Sequence, residues 1–93
     1  MQTPVGSFVV VDSFWINNLG WVLTGEPSGQ VAAGNQLVFP AGTTLLIKSV
    51  EVFRAREGRR IGLVISRSQV SVQRDFLEKQ VIGLTAHILA QNA

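Results

Sequence analysis

Four arginines, Arg54, Arg56, Arg59 and Arg60, fall within seven residues, the densest grouping of one chemistry in this chain. Guanidinium groups at that spacing can contact successive phosphates, which is the electrostatic footprint of nucleic-acid binding. Glu51 and Glu57 lie in or beside the run, and no aromatic residue interleaves with it. The same run therefore also reads as the solvated loop of a hairpin. Other reactive groups are sparse: six carboxylates, one histidine (His87) and no cysteine. Without thiols there is no disulfide framework and no thiolate metal site, and a single histidine cannot build a metal cluster. Neither H-E-x-x-H nor G-x-S-x-G occurs. His87 falls near the end of the last strand-like run, a place for an exposed or packed histidine rather than a general base. Glu51 with Arg54 and Arg56 reads as surface ion pairs, each worth little. The expectation is a chain that is not an enzyme, with no catalytic residue, cofactor or metal.

The elements that position these groups are short strands. Residues Phe8 to Ile16 are β-branched and aromatic, which favours a strand. Phe8, Val10, Asp12, Phe14 and Ile16 share one parity, and Val9, Val11, Ser13 and Trp15 share the other. Asn17-Asn18-Leu19-Gly20 forms a turn, since Asn and Gly tolerate positive φ. Trp21 to Thr24 returns as a strand, and Gly25 to Gly29 reads as a second turn because Pro27 interrupts pairing. Short strands are expected at Gln30 to Ala33 and Gln36 to Phe39, and a long one at Thr44 to Arg56, where Val52-Phe53 breaks alternation as a bulge or corner does. Glu57 to Arg60 is the next loop and Ile61 to Ser66 the next strand. Residues 67–79 are polar and ambiguous, with room for a strand at Gln69 to Val72 and a helical turn at Arg74 to Lys79. Gln80 to Ile88 is the last strand, with a kink at Gly83.

Many short strands with Gly/Pro turns and no long helix predict an all-β barrel or sandwich. Closure suits 93 residues, because a barrel leaves no sheet edge open. One domain is expected over 1–93, with the barrel at about 7–89 and loose termini. No apolar run reaches the length of a membrane span, and the N-terminus lacks the basic region of a signal peptide, so a cytoplasmic location with no membrane partner is the default reading.

The pattern Phe14-x-Ile16, Gly20-x-Val22-x-Thr24-Gly25, Ser28-Gly29-x-Val31-x-x-Gly34-x-x-Leu37 resembles the second domain of the translational GTPases, above all elongation factor Tu. Lys48 to Arg54 is similar to that domain's fourth-strand segment, Ile61 to Ile65 to its next strand, and Phe76 to Ile82 to the stretch before its last. The resemblance covers residues 8–88 and implies a closed six-stranded antiparallel barrel that contacts RNA or the ribosome. It implies that Asp12, Phe14 and Thr24 line an aminoacyl pocket, and that Ile16, Glu51 and Val64 receive a terminal adenosine. Barrel packing alone also accounts for Phe14, Ile16, Thr24 and Val64. The chain departs from the family at Leu19, where an arginine is usual, at Val11, where an acid is usual, and at Glu26, where a base is usual. No G-x-x-x-x-G-K-S/T loop occurs, so GTP is not an expected partner.

Two tryptophans complete the reading. If Phe14, Ile16 and Val22 face the core, then Val9, Val11, Trp15, Trp21 and Leu23 share the outer face as an apolar patch. Burying each such side chain contributes about 1.5–3 kcal/mol, so a partner, a second copy of the chain, or residues 67–79 or the C-terminal tail must cover it. The apolar fraction of 46% against 15% charged favours an interaction or structural module that forms a homo-oligomer or takes a protein partner through this patch. The alternative is an RNA- or ribosome-associated module that uses the arginines. A small-molecule site around Glu51 is a third reading.

Overall fold

The computed structural model describes residues 3–55 and 58–90, with 55, 58 and 59 described by backbone alone. Six strands, β1 (Gly6–Ile16), β2 (Gly20–Gly29), β3 (Gln36–Val38), β4 (Thr44–Ala55), β5 (Gly58–Ile65) and β6 (Thr85–Leu89), close into a barrel in the order β1-β2-β5-β4-β3-β6. All pairings are antiparallel. This is the expected architecture. Two short helices, α1 (Arg67–Val70) and α2 (Arg74–Lys79), lie between β5 and β6.

The β1–β2 hairpin turns where Asn17, Asn18 and Leu19 were expected to turn. Leu19 N–H donates to the Ile16 carbonyl at 3.1 Å, and Asn18 takes a φ of 71°, a conformation that asparagine tolerates better than most side chains. Further along β1 the register shifts: Val10 pairs with Gly25 but Asp12 pairs with Thr24, leaving Val11 extra. A bulge of this kind reverses the facing of every later residue. Phe8 and Val10 are buried in the core before it. After it Ser13 and Trp15 take the core side, opposite Leu23 and Trp21, while Asp12, Phe14 and Ile16 face outward.

Phe8, Val10, Leu23, Leu37, Leu63 and Ile88 fill the barrel. The helices close one end. Phe76, Leu77 and Val81 join the same core, and the Phe76 ring meets Phe39 edge-on at 5.1 Å. The cap is also tied by polar contacts. Ser13 Oγ donates to the Leu77 carbonyl at 2.6 Å and accepts from Trp21 Nε1 at 2.7 Å. Gln69 Oε1 accepts from the Leu46 N–H.

Six expected features differ. The loop expected over Glu57 to Arg60 is strand β5 from Gly58 onward, and Val52-Phe53 pairs regularly with Ile61 and Arg60; the register shift in β4 falls at Lys48, between Ile47 and Ser49. The turn over Gly25 to Gly29 is continuous strand: Pro27 pairs with Phe8 on β1, and β5 pairs only with Val22 to Gly25. Proline is tolerated there because no neighbour asks for its missing N–H. Gln30 to Ala33 is irregular, held by turn bonds such as Asn35 N–H to the Ala32 carbonyl. The strand expected at Gln69 to Val72 is α1 and a turn, fixed by Gln69 N–H to Ser66 and Gln73 N–H to Gln69; the helical turn at Arg74 to Lys79 is present as α2. The last strand begins only at Thr85, because Gln80 and Val81 both donate to the Phe76 carbonyl and finish the helix.

Candidate functional site

The sheet register gathers most of the resemblance-based positions on one outer face. Asp12, Thr24, Gly62 and Glu51 form one cross-strand row over β1, β2, β5 and β4. Phe14, Val22, Val64 and Ser49 form the row beside it. Ile16 pairs with Gly20 one step further toward the helical cap. Neighbouring strands lie about 4.8 Å apart, so Asp12 and Glu51 bracket a surface roughly 14 Å wide.

This face has its own apolar layer, separate from the barrel core. Val22, Val64 and Thr24 are buried, at 0%, 1% and 4% exposure, although none belongs to the interior cluster. Gly62, between them, leaves the room that the Phe53 ring fills. A Cβ there would stand 2.1 Å from Phe53 Cε2 and 3.1 Å from Val22 Cγ1, so the Phe53 ring lies directly over the glycine. Phe14, 37% exposed, forms the open rim. Asp12 is exposed and Glu51 half-buried. Arg60, paired in register with Phe53, stands on the same face one step from Glu51. Sequence reasoning missed Gly62, Phe53 and Val22 as the floor of this face, because their meeting depends on the β4–β5 register rather than on local spacing.

The expected tryptophan patch is not a surface. Trp21 is 6% exposed and Leu23 fully buried, and both are core residues. The reason is the extra residue at Val11, which inverts the facing assumed for the hairpin. Val9 remains exposed and Val11 half-buried. Trp15, 49% exposed, sits at the capped mouth, where residues 67–79 cover Trp21 but leave part of Trp15 open. A cleft of about 190 Å³ lined by Trp15, Trp21, Val70 and Arg74 results.

The arginine run is divided. Arg54 is exposed and is the Cα partner of Arg59 near the β4–β5 hairpin tip, at the barrel end opposite the helices. Arg60 is half-buried on the outer face, and Arg56 lies outside the described residues. His87 is exposed on β6, in register with Ser7 and Val38. Among the described residues no three His, Asp or Glu side chains converge on a metal-sized site. No described helix is long and apolar enough to cross a membrane.

The outer face thus presents a carboxylate at each side, the Phe14 rim between them and Arg60 at its edge, over a buried layer of Thr24, Val22 and Val64. Carboxylates accept hydrogen bonds from hydroxyl and amino groups, apolar rims take flat rings, and the cation suits an anion. No protein family, curated protein or solved structure matches the chain.

Proposed function

We propose that this chain is a non-catalytic binding barrel, cytoplasmic by default, whose outer β1-β2-β5-β4 face receives the terminal nucleotide of an RNA. The observation that carries the reading is the Asp12–Thr24–Gly62–Glu51 row, four strands contributing to one face. The resemblance to the translation-factor barrel supports the ligand class. Glu51 accepts hydrogen bonds from ribose hydroxyls, which distinguish RNA from DNA. The base lies against Phe14, and the phosphate turns toward Arg60, away from the two carboxylates.

The test is fluorescence anisotropy with a labelled single-stranded RNA ending in adenosine, at low salt. Wild type binds; Glu51→Gln and a 2′-deoxy terminal nucleotide each weaken binding. Arg60→Gln lowers the salt slope by about 1. Absence of binding at low salt, or binding indifferent to Glu51, Phe14 and Arg60, rejects the reading.

Self-association is the second reading. It rests on the exposed Trp15 and Val9, because Trp21 and Leu23 are withdrawn into the core. Sedimentation velocity across a hundredfold concentration range decides it: a constant monomer rejects a homo-oligomer.

A further inference from the structure

The cleft at the capped mouth is a second site, on the other side of β1 from the outer face. It is lined by Trp15, Trp21, Val70 and Arg74. Both indole N–H groups are already engaged, Trp21 with Ser13 Oγ at 2.7 Å and Trp15 with Asn17 Oδ1 at 3.2 Å. Trp15, 49% exposed, therefore offers ring surface rather than a hydrogen bond, and Trp21, a core residue, backs the cleft. An apolar cavity of about 150 Å³ holds a benzene ring; this cleft, at about 190 Å³, has room for one planar ring system.

The charge at the cleft comes from Arg74. Its Nε is bonded to Glu78 Oε1 at 2.8 Å. Both side chains are exposed, at 68% and 40%, so the pair is weakly held. The two terminal nitrogens of a guanidinium bonded only through Nε keep donors for an anion. Flat ring surface beside an arginine is the combination that single-stranded nucleotides use, with the base stacked and the phosphate paired.

We infer that this cleft binds one nucleotide, its base on Trp15 and its phosphate on Arg74. The site is independent of the outer face, with which it shares no residue. Trp15 provides the stacking surface and Arg74 distinguishes a nucleotide from an uncharged aromatic ring.

Titration of the full chain with AMP, followed by tryptophan fluorescence and by the two indole N–H resonances, tests this. The expected result is saturable quenching in the millimolar range with both indole resonances shifted. Trp15→Ala weakens binding roughly tenfold or more. Arg74→Gln weakens AMP but leaves adenosine unchanged, and His87→Gln, an exposed position on β6, changes neither. Shifts confined to Phe14, Thr24 and Glu51 overturn this inference while leaving the outer-face reading intact; shifts confined to the indoles do the reverse. Linear, non-saturating quenching overturns it. So does equal affinity for AMP and free indole, the result expected if the cleft takes an aromatic side chain of a protein.

Discussion

Gly62→Ala isolates the physical basis of the outer face. The new Cβ would lie 2.1 Å from Phe53 Cε2, 2.6 Å from Cδ2 and 3.1 Å from Val22 Cγ1. Carbon atoms in contact prefer roughly 3.5–4.0 Å, so the ring must retreat by about 1.5 Å while Val22, buried under it, yields a few tenths. Phe53 is only half-buried and can swing toward solvent, which limits the penalty to lost burial plus local overpacking, about 1–2 kcal/mol. For a domain of this size that lowers Tm by roughly 4–16 °C. In a Phe53→Ala background the added methyl meets no ring. There Gly62→Ala should be neutral or slightly stabilising, because a strand glycine carries an entropic cost of about 0.5–1 kcal/mol. Thermal denaturation of the four proteins forms a double-mutant cycle with an expected coupling of about 1–2 kcal/mol. Equal destabilisation in both backgrounds refutes the placement of the ring over Gly62, and with it the packing assigned to the outer face.

Ser13→Ala leaves the Trp21 indole N–H and the Leu77 carbonyl without their partner and should cost about 2–4 kcal/mol by urea denaturation, accompanied by a red shift of tryptophan emission as the cap loosens. Leu77→Ala opens a void under the cap and should cost about 2–5 kcal/mol on the same measurement. Gly25→Ala should prevent folding, read as loss of near-ultraviolet dichroism, because its Cβ would lie 1.8 Å from the Val9 carbonyl oxygen, a backbone atom that cannot step aside. Lys79 is held protonated above its ordinary value of 10.5, first by its hydrogen bond to Asp75 and then by the charge of Asp75. The pair's small contribution is therefore complete below that value and lost as pH rises through the raised one. The Tm difference between wild type and Asp75→Asn should be flat on the alkaline side of neutrality and vanish in strong alkali.

The barrel was legible in the sequence because its signals are local. Asn18 and Gly20 mark the hairpin, β-branched runs mark the strands, and turn residues space them. What was not legible depends on pairing. Pro27 ordinarily ends a strand, yet it is accommodated because β5 has already turned away at that level. Gln69 to Val72 carries no clear period, and α1, which replaces the strand expected there, buries no residue; the helical turn expected at Arg74 to Lys79 is α2, stabilised by burying Phe76 and Leu77 in the barrel mouth rather than by propensity. The patch of Val9, Val11, Trp15, Trp21 and Leu23 rested on strict alternation through Val11. One unpaired residue there moved Trp21 and Leu23 inside and Phe14 and Ile16 outside.

That same bulge explains how one strand contributes to both the outer face and the capped cleft. Beyond Val11, β1 alternates between Asp12 and Phe14 on the outer face and Ser13 and Trp15 on the capped side. Ser13 is anchored to α2 through Leu77 and to β2 through Trp21, so the cap fixes the stretch of β1 that carries Asp12 and Phe14. Without the extra residue, the alternation would turn Asp12 and Phe14 toward the barrel interior, where a carboxylate has no partner and burial is costly. The hairpin tip would then present its serine and tryptophan to solvent. Burial of a charged group against burial of an indole sets the sign: the bulged register keeps the carboxylate in water and the Trp21 ring in the core. The outer face and the tryptophan cleft therefore arise from one local choice of register, and a ligand at either would meet a strand already held by the cap.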